Sequence, residues 1–197
     1  LRANRHWRVV GEGHHPLLQW DELADWQGDG LIAIPNTEAQ LDALLAAHVP
    51  VVVAGSRFIH PLLTTVACDS AAIGRIAAEH LLSCRLEHFL FVGELAWENE
   101  QRRYRSFAAT IAEAGYQCEL LALPVNEEAA SDGSARYRPD VDRLAEGLRS
   151  IPKPAGVCAP NSMLARFVVE VARNCGYDVP DQIAVLGVSD DPLVCES

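Results

Sequence analysis

The sequence predicts an α/β protein built on parallel sheets, and three observations carry that prediction. Short apolar runs bounded by turn residues recur along the whole chain. Helical patterns separate most of these runs, the alternation expected of strands joined by helical crossovers. The runs are also nearly continuous in apolar residues, as in Val51-Val52-Val53, rather than alternating with polar ones. Strands covered on both faces read this way.

Taken in order, the predicted strands are 7–10, 30–34, 49–54, 64–68, 88–93, 119–123, 155–159 and 183–188. Between the second and third, Leu41, Leu44 and Leu45 fall on one face of a helix over 38–47. The run 64–68 leads directly into a helix over 70–82, for which Asp69 or Ser70 is a natural N-cap. An amphipathic helix over 99–114 is closed by Gly115, and further helices follow over 140–149 and 162–175. Residues 124–139 are polar and are expected to form a mobile loop. Periodicity leaves open whether these units make one wide sheet or two smaller ones.

Composition narrows the function. The chain of 197 residues carries 27 acidic against 16 basic side chains, a formal charge of −11. So acidic a surface repels phosphate backbones, so this segment by itself is not expected to hold nucleic acid. No stretch of 18 apolar residues is present, so no membrane partner is expected. The six cysteines lie at 68, 84, 118, 158, 175 and 195, with no CxxC or similar metal spacing. Several sit in apolar runs, which fits free thiols in a reducing cytoplasm. Neither a metal nor a cofactor is expected: the histidines are scattered, and no GxxxxGK phosphate loop occurs. The GxSxG elbow of serine hydrolases is absent too, so a hydrolase built on Ser189 or Ser56 is a remote alternative and no enzyme is expected. The opening LRANRHW is no signal peptide, and with its first residue Leu1 the chain reads as cut from a longer one.

Three segments carry a resemblance. Residues 68–82 (CDSAAIGRIAAEHLL) with 88–93 (HFLFVG) resemble the D-x-x-x-x-G-x-x-A-x-x-H-L helix and following strand of lac-repressor-family ligand-binding domains. Residues 176–188 (GYDVPDQIAVLGV) resemble that family's passage into its last conserved strand, and RYRSF at 103–107 with IAEAG at 111–115 match its R-x-x-G-F helix. Residues 25–33 (DWQGDGLIA) and 186–191 (LGVSDD) look most like xylose-responsive regulators, which join this sensor to a C-terminal helix-turn-helix domain of the AraC type. The resemblance implies a type-I periplasmic-binding-protein fold: two doubly wound parallel-sheet lobes with ligand in the cleft. Residues 1–87 would be lobe one, lacking its first strand and helix, and 88–197 lobe two. It further implies a pentose such as xylose as effector, operator DNA bound by a domain outside this chain, a cytoplasmic homodimer, and no catalysis. A periplasmic sugar carrier of a transporter shares the fold and is the alternative.

In open α/β sheets ligands collect beyond the carboxyl ends of strands. That rule points to 55–58, Asp69, 93–97, 160–162 and 189–191. The resemblance places a sugar-binding arginine at Arg103, four residues before Phe107. Trp97 follows a strand end and could stack on a sugar. Asn161 stands at the family's Asn-Asp pair, although Pro160 replaces the asparagine before it. At the last strand the family's sugar-gripping acid is Ser189 here, with Asp190 and Asp191 behind it, so Asp190 is the candidate to take over. Asp69 is a candidate ligand residue that also reads as a plain helix cap. Trp7, Trp20 and Trp26 are expected in the core or on the lobe surface.

Overall fold

The computed structural model describes residues 20–55, 58–123, 126–129 and 135–189. The chain divides into two compact units, Leu1–Ala67 and Cys68–Ser197.

In the first unit a 3-10 turn, Trp20–Asp25, precedes β1 (Leu31–Ala33), α1 (Glu38–Ala46), β2 (Val51–Ala54) and β3 (Thr64–Val66). The three strands pair in parallel in the order β1-β2-β3. Thr37 caps α1 by accepting from the Gln40 amide, which meets one of the donors a helix start leaves unpaired. One sheet face buries Val53 against Leu44 of α1 and Leu23, with Trp20 packed alongside. The other presents Ile32 and Val66 to solvent.

The second unit holds α2 (Ser70–Ser83), β4 (His88–Gly93), α3 (Glu98–Glu113), β5 (Cys118–Ala122), β6 (Asn126–Ala129), β7 (Ala135–Arg138), α4 (Val141–Ser150), β8 (Ala155–Ala159), α5 (Ser162–Asn174) and β9 (Ile183–Gly187). Four strands pair in parallel in the order β5-β4-β8-β9. Alternation along β4 sorts its side chains to opposite faces. Leu90 and Val92 face α4 and α5, packing with Leu144, Leu148, Leu164 and Val168. Phe89 and Phe91 face α2 and α3, packing with Ala77, Leu81, Phe107 and Ile111. The sheet is thus doubly wound, as its apolar strands require. The chain leaves β4 outward to β5, then crosses back past β4 to β8. The winding therefore reverses between β4 and β8, and a crevice opens at such a switch point beyond the carboxyl ends.

One expectation differs from the structure. Residues 124–139 are not a bare loop, because β6 and β7 pair as an antiparallel hairpin with Asn126 opposite Arg138. α2 belongs to the second compact unit, which begins at Cys68. The reason is the packing of α2 on α3. At Gly74 an added Cβ would sit 3.0 Å from the Arg103 carbonyl carbon and 3.1 Å from the Phe107 amide nitrogen, so only glycine lets the two backbones touch. The predicted strand 7–10 and Trp7 lie outside the described residues.

An alanine in place of glycine inside an ordinary helix stabilises by up to ~1 kcal/mol. Gly74→Ala is expected to do the opposite, costing about 1–3 kcal/mol as α3 is forced away. Urea unfolding of the two proteins checks this, and an unchanged or higher midpoint contradicts the contact.

Candidate functional site

The turns beyond β4, β8 and β9 lie on one edge of the second unit's sheet, on either side of the switch point. Arg103 is brought there by α3. It is 8% exposed, and its Nη1 donates to the Pro160 carbonyl at 2.5 Å, tying α3 to the turn beyond the neighbouring strand. Its Nε is also buried and has no hydrogen-bond partner among the described residues. Burial pushes the guanidinium pKa below the usual arginine value, and the Glu100 carboxylate pulls it back up. Beneath it, burial pushes the Cys158 thiol up to about 12, opposed by Arg103.

The segment after β4 is laced back onto the start of α3. Glu100 Oε2 accepts from the Glu94 amide at 2.9 Å, and Gln101 Nε2 donates to the Leu95 carbonyl at 2.7 Å. Gly93 makes room for this, since a Cβ there would meet Glu100 Oε2 at 3.0 Å. Trp97 is half-buried, and its Nε1 donates to Glu94 Oε2 at 2.8 Å.

At the next turn Asn161 caps α5, its Oδ1 accepting from the Leu164 amide at 2.8 Å. Ser162, almost wholly buried, places its Oγ 3.3 Å from Ser189 Oγ. Ser189 has φ +91, a left-handed backbone uncommon for a side chain other than glycine. Gly187 allows the approach, because a Cβ there would press on Ala165 Cβ at 2.7 Å.

The structure therefore brings Arg103, Trp97, Asn161 and Ser189 to one edge. Asp69 caps α2, accepting from the Ala71 and Ala72 amides at 3.0 Å each, and its carboxylate is exposed. Asp190, Asp191, Ser56 and Arg57 lie outside the described residues. Sequence reasoning passed over Asn99, whose Oδ1 is buried without a partner among the described residues. The signal for it was the four-residue spacing 99, 103, 107, 111 along one face of α3.

Surface hollows occur elsewhere. One lies at the opposite, amino edge of the same sheet, lined by His88, Gly115, Tyr116 and Ile151, and another lies in the first unit beside Leu44 and Leu62. Neither includes a buried charge, and the carboxyl edge is the better candidate on both topology and chemistry. No group of three or more His, Cys, Asp or Glu that could hold a metal occurs among the described residues, nor any helix long and apolar enough to cross a membrane.

Residues 78–197 match the model of the periplasmic binding protein-like domain. The xylose operon regulatory protein of Escherichia coli K12 is 26% identical over 182 residues, covering 88% of this chain and 44% of that protein. Catabolite control protein A of Priestia megaterium is 23% identical, covering 85% of this chain and 49% of that protein. The chain thus spans less than half the length of these curated relatives. Among solved structures, a xylose-binding transcription activator matches with TM-score 0.69 at 24% identity, covering 84% of this chain and 44% of that one. A periplasmic binding protein/LacI transcriptional regulator from Alkaliphilus metalliredigens, complexed with D-xylulofuranose, matches with TM-score 0.68 at 17% identity, over 88% of this chain and 61% of that one. These likenesses show the type-I periplasmic-binding-protein fold, of which the neighbours contain more than this chain does.

The exposed Cys68 and Cys84 are expected to react with iodoacetamide at pH 8 in the native protein, while Cys158 is protected until denaturant is added. Mass spectrometry of the alkylated chain checks this. Native labelling of Cys158 as fast as Cys68 contradicts a thiol sealed beneath Arg103.

Proposed function

This chain belongs to the periplasmic binding protein-like domain family, and on that premise we propose that it is the effector-sensing part of a sugar-responsive transcription regulator. The observation that carries the reading is Arg103: a buried guanidinium at the switch point, bonded once to Pro160 and holding an unspent Nε–H. Polyol hydroxyls supply the acceptors such a group needs, and Trp97, the N-cap residue of the same helix, offers an apolar ring face. The proposed effector is a pentose such as D-xylose. The names of the relatives support it, since they include xylose operon regulators and a regulator complexed with D-xylulofuranose.

The mode of action follows from linkage. A sugar that fits the edge better in one conformation of the regulator shifts the population toward it, by no more than its difference in affinity. The charge of −11 makes this segment a poor ligand for operator DNA. DNA contact is assigned to another segment of a longer, cytoplasmic polypeptide, of AraC type in the xylose-regulator reading, acting as a homodimer. LacI-type relatives fit the sensor at least as well. The edge is assigned to binding, with Ser162 Oγ lying 3.3 Å from Ser189 Oγ.

Thermal unfolding against a panel of pentoses and hexoses tests the proposal. A sugar at a hundredfold excess over its Kd is expected to add about 2.7 kcal/mol. For a chain of this size that raises Tm by roughly 5–10 °C. Arg103→Ala should weaken the same sugar by about tenfold or more, as loss of a hydrogen bond to a charged group does. No shift with any sugar refutes the reading.

A further inference from the structure

We infer that Lys153 is a conformational latch: its ammonium fills a cation site made by the end of α4 and the Tyr177 ring, and so fastens the ends of α4 and α5 to each other at the amino edge of the second unit's sheet.

Lys153 is the one lysine of the chain, every other Lys or Arg position being arginine. It lies in the connection from α4 to β8, in the run Ile151-Pro152-Lys153-Pro154. Instead of extending into water, its side chain turns back on the helix it follows. Nζ donates to the Leu148 carbonyl at 2.5 Å and to the Ile151 carbonyl at 2.6 Å, with the Arg149 carbonyl at 3.4 Å. Carbonyls in the last turn of a helix lack intrahelical partners and carry the negative end of its dipole. The same ammonium lies 4.4 Å from the centroid of the Tyr177 ring, whose face attracts a cation. Tyr177 directly follows Gly176, whose φ of +84 turns the chain out of α5, and its ring packs against the core that α4 and α5 share. One charge thus meets the ends of both helices.

The site suits a primary ammonium better than a guanidinium. Three N–H groups on a single nitrogen can reach carbonyls that converge on a point, whereas the guanidinium is a flat fork matched to a carboxylate. Arg149, one turn earlier and exposed, leaves this place to the lysine. The consequence is mechanical. α4 and α5 start from their caps at Asp140 and Asn161, cover one face of the sheet together and finish at the latch. Holding both finishing ends by one charge makes them open together or not at all.

The test is thermal unfolding and amide hydrogen exchange of the full chain and its Lys153→Ala and Lys153→Arg variants, each in sodium chloride and in methylammonium chloride at equal concentration. In K153A the Tm is expected to fall by roughly 3–10 °C, as loss of hydrogen bonds to a charged group does. The amides of 148–153 and of 176–179 should both exchange about threefold faster or more. K153R should lose nearly as much as K153A. Methylammonium, entering the emptied site, should return about half or more of the Tm lost in K153A while leaving the native Tm in place. An unchanged Tm in K153A, or faster exchange in only one of the two segments, overturns the latch. A native Tm in K153R overturns the preference for ammonium. No recovery with methylammonium assigns the loss to the lysine stem and overturns the cation site.

Discussion

The bond from Arg103 Nη1 to the Pro160 carbonyl is the constraint around which the second unit's carboxyl edge is arranged. A guanidinium taken out of water costs several kcal/mol unless its donors are met. One carbonyl meets one of them, so the protein keeps this charge buried only because the surrounding packing fixes it there. That packing starts with glycine. Gly74 lets α2 lie directly on the α3 backbone at Arg103, and Gly93 lets Glu100 fold under the loop beyond β4. The arginine is thereby held between the strands where the winding of the sheet reverses.

The core beneath explains why the edge is rigid. Phe91 lies against Phe107 with ring centroids 5.7 Å apart and against Tyr104 at 5.4 Å. These contacts lock α3 in rotation, so the face that buries Phe107 also fixes the direction of Arg103 and Asn99 one and two turns earlier. The capped start of α5 does the same for the adjacent turn, with Asn161 holding the Leu164 amide and Ser162 meeting Ser189. Preorganisation of this kind lowers the cost of ordering side chains when a ligand arrives.

Much of this was legible in the sequence. The apolar runs at 88–93 and 155–159 are the observed β4 and β8 to the residue, because fully buried parallel strands leave no polar positions to blur their ends. The Arg103 position was legible through resemblance, and its burial was not. What escaped notice depends on tertiary contact. The hairpin of β6 and β7 is too polar in sequence, Asn-Glu-Glu-Ala against Ala-Arg-Tyr-Arg, to announce strands. The close approach of α2 to α3 depends on Gly74, whose role exists only once α3 is in place. Asn99 is simply the first residue of the helix predicted over 99–114, and only the burial of its Oδ1 singles it out.

The most direct measurement of the central claim is a ¹H–¹⁵N spectrum of the chain with and without saturating D-xylose, resolving the Arg103 Nε–H signal. The account predicts that this signal and the amides of Asn99, Asn161 and Ser189 shift, while those of Gly115 and Tyr116 at the opposite edge stay in place. Shifts confined to the Gly115 edge, or an Arg103 Nε–H unmoved by a bound sugar, would contradict it.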